Sequence, residues 1–264
     1  CGASTAPATA AVRPSAAEVA TVASYKAGHD TEAAQVRSQA TADATHNAQK
    51  QALVASGKLT PTQPVAAKAG RCANASTVFT ADSVIGWLYQ YDQVRGSFCG
   101  PATVAEMSAT VPGASAIGLD QYGIANYMTG DWTLVDARGT NIDEEVYGLN
   151  GYVGVPDFGW NFYGFVGMDY SPTAAQRSAF ESNLASDLAV YSPVAGDAWE
   201  VPGGPHLVGH PNQEIFHYFE IGGQSGSQVL YADSAHSVWA SVPAYSWQDT
   251  YTVETILGGR GYIW

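Results

Sequence analysis

Four side chains are spaced as a thiol-based acyl-transfer site would need them. Cys99 stands in the stretch Gln93-Val-Arg-Gly-Ser-Phe-Cys99-Gly-Pro-Ala102. Proline is at home in a helix's first turn, so Pro101 predicts a helix opening here and running to Val111. A cysteine at a helix mouth meets unpaired backbone N–H groups and the positive end of the dipole, which favour the thiolate. Gly100 leaves room for a substrate at that mouth. Gln93 can turn its side-chain amide toward a developing oxyanion. The same residues also fit a small buried cysteine ahead of an ordinary helix.

A thiol nucleophile needs an imidazole, and the imidazole needs an orienting partner. His217 lies in Ile215-Phe-His217-Tyr-Phe-Glu-Ile221, and Asp233 closes Val229-Leu-Tyr-Ala-Asp233, with Gly222 to Ser227 between them. This reads as a β-hairpin with a Gly/Ser turn. In an antiparallel pair, opposed residues have position numbers of constant sum. His217 and Asp233 share a face only if that sum is even. A two-residue turn at Ser225-Gly226 makes it odd. The reading therefore predicts a three- or five-residue turn, or a bulge at Gly222-Gly223. Taken alone, a strand histidine is more often a satisfied core residue.

In this order, the motifs resemble those of papain-like bacterial cysteine peptidases related to the double-glycine leader peptidases of bacteriocin exporters. That family places a Gln six positions before a Cys-Gly-Pro-Ala helix start, then a His opening one strand and an Asp closing the next. Gly139-Thr140-Asn141 through Leu149-Asn150 is similar to its middle region, and the resemblance spans roughly residues 77–260. It implies an α+β, papain-like fold in which the cysteine helix packs on an antiparallel sheet carrying His and Asp. By the same resemblance Cys99 is nucleophile, His217 general base and acid, Asp233 its orienter and Gln93 an oxyanion donor. The substrate would be a peptide or protein, and no cofactor or metal is called for. Ser234 follows Asp233 where the family often has Pro. Two other outcomes stay open: acyl transfer to an amine instead of water, and an inert fold that serves as a surface binding or cross-linking protein.

Other reactive side chains point elsewhere. His206 and His210 lie close in sequence, but the Gly/Pro-rich chain between them offers no helical metal-ligand spacing. Cys1-Gly2-Ala3-Ser4 looks like a bacterial lipoprotein after signal removal. On that reading the Cys1 thiol carries a lipid that tethers the protein to the outer face of a membrane. A pairing of Cys72 with Cys99 is the rival to a free nucleophile: it would close a loop worth about 3 kcal/mol. Gln35, Gln39, Gln49, Gln51 and Gln63 lie near all four lysines, an arrangement suited to a transglutaminase partner if the backbone there is mobile.

The elements that must position these groups are unevenly distributed. Residues 1–70 are Ala/Gln-rich and carry six bases against four acids, a net of +2; the rest carries five arginines and 20 acids, a net of −15. The acidic surface excludes general attraction to nucleic acid. Residues 1–70 read as a leader, a stalk of two thinly apolar helices (Ser15 to Gly57, with Val19, Val22, Val36 and Leu53 inward) and a linker. Residues 71–264 read as the folded domain. Its expected helices lie around Ser83–Tyr89, Pro101–Val111, Leu119–Met128, Asp143–Leu149 and Ala174–Leu188. Its expected strands are Val194–Ala195, Ile215–Ile221, Val229–Ala232, Val253–Leu257 and Tyr262–Trp264, giving an α+β domain.

Overall fold

The computed structural model describes residues 13–59, 83–85, 87–111 and 120–264. Cys1, Cys72, Gln63 and the expected boundary at residues 70/71 lie outside them. Among the described residues, no helix is long and apolar enough to cross a membrane.

The chain is α+β. Its first helices, α1 (Ala16–His29) and α2 (Ala33–Ala55), precede strand β1 (Ser83–Val84). Then come α3 (Cys99–Thr110), α4 (Gln121–Thr129), α5 (Trp132–Arg138) and α6 (Ile142–Leu149), which runs on as a π-helical stretch over Asn150–Phe158. After β2 (Phe165–Gly167) and α7 (Ala174–Leu188) follow β3 (Val194–Glu200), β4 (Ile215–Ser225), β5 (Gln228–Ala232), β6 (Tyr245–Asp249), α8 (Thr250–Leu257) and β7 (Gly261–Ile263). The sheet is antiparallel, in the order β2-β7-β3-β4-β5-β6, with β1 also paired to β4.

Strand alternation sorts the core into two layers. Ala195, Tyr218 and Ile263 meet Val104, Ala105 and Met107 of α3 on one face. Ala198, Phe219 and Tyr262 meet Phe180, Leu184 and Leu188 of α7, and Val253, Ile256 and Leu257 of α8, on the other. β3 is buried along its whole length, as a central strand covered on both faces should be.

The first two helices are integral to this body, contrary to the expected loose stalk. Their starting signal is the anticipated one: Ser15 and Glu18 form a reciprocal capping box. Their apolar stripe is indeed thin, but polar side chains dock them. Asp43 and Asn47, one turn apart on α2, bind the outward N–H and C=O of Phe165 at 2.8 Å each, which blunts the open edge of β2. Lys26 donates to the carbonyls of Thr255, Ile256 and Gly258, capping the C-terminus of α8. Lys50 pairs with Asp187 at 2.9 Å, both side chains fully buried. Lys26 and Lys50 thus anchor a basic segment on an acidic body. Gln35, Gln39, Gln49 and Gln51 sit in α2, so the mobile backbone a transglutaminase would exploit is not found there. Gln35 and Gln39 are further tied to Asp143 and Asp43.

Two element assignments change. Val253–Leu257, expected as a strand, belongs to helix α8: Asp249 caps it through Thr252 N and Oγ1, and burial all round hides the helical period. Ser83–Val84, expected to begin a helix, pairs instead with Gln224 and Gly223 of β4. β6 was not anticipated, although Tyr-Ser-Trp-Gln-Asp alternates in burial as an outer strand does.

Candidate active site

Helix α3 begins at Cys99 itself, and the half-buried Cys99 carries a free thiol. Gly100 is demanded by packing: a Cβ there would run into the side chains of Thr140 and Glu145, the latter at 2.6 Å. The space expected for substrate at Gly100 is therefore filled by the protein.

His217 reaches this helix mouth because of one extra residue in the hairpin. Gly226 and Ser227 form a two-residue turn between Ser225 and Gln228, with Gly226 at φ +55°, and the register near the turn is odd. A bulge between Ile221 and Gly223 then shifts the pairing to Ile221↔Tyr231 and Glu220↔Ala232, an even register. His217 and Asp233 thereby come to one face. His217 Nε2 lies 3.0 Å from Asp233 Oδ1, leaving Nδ1 for the thiol. Burial opposes a charged His217, but the Asp233 charge and hydrogen bond, and contact with Cys99, more than offset it. The imidazole pKa lies well above the usual histidine value. Burial would likewise raise Asp233, yet His217 and His210 together hold it well below the usual carboxylate range.

His210 and Glu200 extend this chain of groups. Asp233 Oδ2 takes His210 Nε2 at 3.0 Å, and His210 Nδ1 stands 2.8 Å from Glu200 Oε1, all fully buried. Asp233 and Glu200 prevail over desolvation and raise the His210 pKa. Sequence reasoning weighed His210 only as a metal ligand; its Gly/Pro-rich setting gives no hint that the loop folds back onto Asp233. His210, His217 and Asp233 do offer ligand atoms within 4.8 Å of one another. A cation there would have to displace both imidazole–carboxylate hydrogen bonds. His206 and His236 bind backbone carbonyls instead.

Gln93 is buried and ties the segment ahead of α3 to the residue after Asp233. Its backbone N–H binds Ser234 O at 2.9 Å, its Oε1 accepts from Ser234 Oγ, and its amide donates to Arg95 O at 2.8 Å. One of the two amide hydrogens is thereby used. Ser234, in the position where the resembled family often has Pro, is the residue that holds Gln93.

Cys99 and His217 open onto a cavity of about 270 Å³. Glu32 and Gln35, at the corner between α1 and α2, line it beside Arg138, Asp197 and Arg260. The family resemblance, over residues 77–260, leaves this N-terminal contribution out. No protein-family model and no curated protein sequence matches the chain.

Proposed function

We propose that the protein is a cysteine peptidase or amidase of papain-like fold that cleaves peptide bonds through Cys99, His217 and Asp233. The observation that carries this reading is the ordered contact of Asp233 with His217 beside a free thiol at the mouth of α3. In the first half-reaction the Cys99 sulfur adds to the scissile carbonyl carbon, its proton passing to His217 Nδ1. The carbonyl oxygen becomes an oxyanion, met by the Cys99 backbone N–H and the remaining Gln93 amide N–H. The C–N bond breaks as the imidazolium returns the proton to the departing amine. Water then adds to the thioester, losing its proton to His217, and the carboxylic acid leaves as the thiol is restored.

Asp233 fixes which His217 nitrogen faces sulfur and stabilises the imidazolium. The experiment is turnover of an internally quenched peptide library by the wild-type protein and by Cys99→Ala. The expected result is loss of cleavage by about 10³-fold or more with an unchanged thermal midpoint. Equal cleavage by both proteins would overturn the reading.

A further inference from the structure

Among the described residues lining the cavity beside Cys99, one acid has no cation within contact distance. Arg260 is engaged by Asp30 at 3.1 Å and Glu32 at 3.2 Å. Arg138 is engaged by Glu144, while Lys26, hydrogen-bonded to three carbonyls, and Arg260 act on Asp197 only at longer range. The Asp197 side chain, by contrast, makes no hydrogen bond among the described residues; the residue is 5% exposed and its Oδ2 is buried and unpartnered. A buried carboxylate left like this is costly and calls for a ligand, ion, water or catalytic use to account for it.

We infer that Asp197 forms the floor of a subsite for a primary ammonium group, carried by the substrate close to the bond that Cys99 attacks. The second half of this statement rests on the peptidase reading; the first does not. Asp197 stands on β3 opposite Tyr218, the neighbour of His217, so the subsite opens into the same cavity as the thiol. An ammonium brings three N–H donors and a compact charge to this place. A substrate carboxylate would meet Asp197 as a like charge. Burial, opposed by Arg260, pushes the Asp197 carboxyl up to about 7, so an incoming cation would also complete its ionisation. The ammonium can come from a lysine-type side chain or from a free α-amine.

The test is protection of Cys99 from iodoacetamide, read by peptide mass spectrometry on the full chain near neutral pH. Three additives are compared: N-acetyl-lysine methylamide, alanine methylamide and the neutral N-acetyl-norleucine methylamide. Protection is each protein's own rate ratio with and without additive, so it does not depend on hydrolysis. The expected result is slowing by about five-fold or more with one or both amines, as a single close ion pair allows, and none with norleucine. The arm that protects identifies the source of the amine. In Asp197→Asn the protection should vanish. Equal protection by norleucine, protection surviving in Asp197→Asn, or complete resistance of Cys99 to alkylation would overturn the subsite. Protection as expected in a protein that cleaves no peptide would keep the subsite and overturn the peptidase reading.

Discussion

His210 and His217 grip the two oxygens of one carboxylate: each Nε2 lies 3.0 Å from Asp233, on Oδ2 and Oδ1 respectively. Neither ring can shift without loosening the other. His210 is accordingly a positioning residue for His217. His210→Ala should leave Glu200 and one Asp233 oxygen buried without a partner, at a cost of about 3 kcal/mol in urea unfolding. Turnover should fall by about ten-fold, against about 10³-fold for His217→Ala. Equal effects of the two substitutions on turnover would contradict this order.

The nucleophile can be probed without a substrate. His217 is the base that takes the Cys99 proton in the proposed reaction, so His217→Ala should slow iodoacetamide alkylation of Cys99 by about ten-fold. A rate unchanged by the substitution would mean that the two groups do not share a proton.

The bulge makes a geometric prediction. Deleting Gly222 joins the odd register of the turn directly to His217 and Asp233 and points them to opposite faces. The deletion should abolish turnover while leaving the helical circular dichroism largely in place. Gly222→Ala is the control: its Cβ would press first on the Leu88 side chain, at a cost of about 1–3 kcal/mol. Full activity in the deletion would show that the register is absorbed elsewhere.

Removing residues 1–59 should cost much of the stability. It would strip the edge of β2, uncap α8 and leave Asp187 buried alone. Lys50→Met by itself should cost about 3–5 kcal/mol, or roughly 10 °C in thermal midpoint for a chain of this size. A truncated protein melting at the wild-type temperature would contradict the docked arrangement.

Stability should decline from pH 4 to pH 7. Burial raises Asp197 from 3.8 and Glu254 from 4.5, each to about 7. The unfolded chain therefore ionises these groups first, and their stabilising protonation is lost as pH rises through 7. The raised His210 and His217 act in the same direction, losing their contribution above their folded pKa values. Asp233, held low, gives way only below the ordinary carboxylate range. Lys26, brought down to about 7, acts oppositely, but only above that pH. Thermal melts at constant ionic strength check the slope; a midpoint rising steadily from pH 4 to 7 would reverse it.

Local chemistry alone determined several features of this chain. Pro101 after Cys99 specified a helix mouth at the thiol, the Ser15–Glu18 box specified the start of α1, and alternation specified the hairpin that carries His217. Parity required either a three- or five-residue turn or a bulge at Gly222-Gly223, because side-chain direction along a strand has period two; the structure takes the bulge. These are short-range effects, complete within a few residues. Only the tertiary structure decided what Lys26, Lys50, Asp43 and Asn47 do, since their partners lie more than 100 residues away and are mostly backbone groups without sequence identity. The same holds for Gly100, whose need for a bare Cα comes from Thr140 and Glu145. His210 and Asp197 are ordinary residues in the sequence. The loop that folds His210 onto Asp233, and the salt bridge that draws Arg260 to Asp30 while the Asp197 side chain is left without a hydrogen bond, are long-range outcomes of packing.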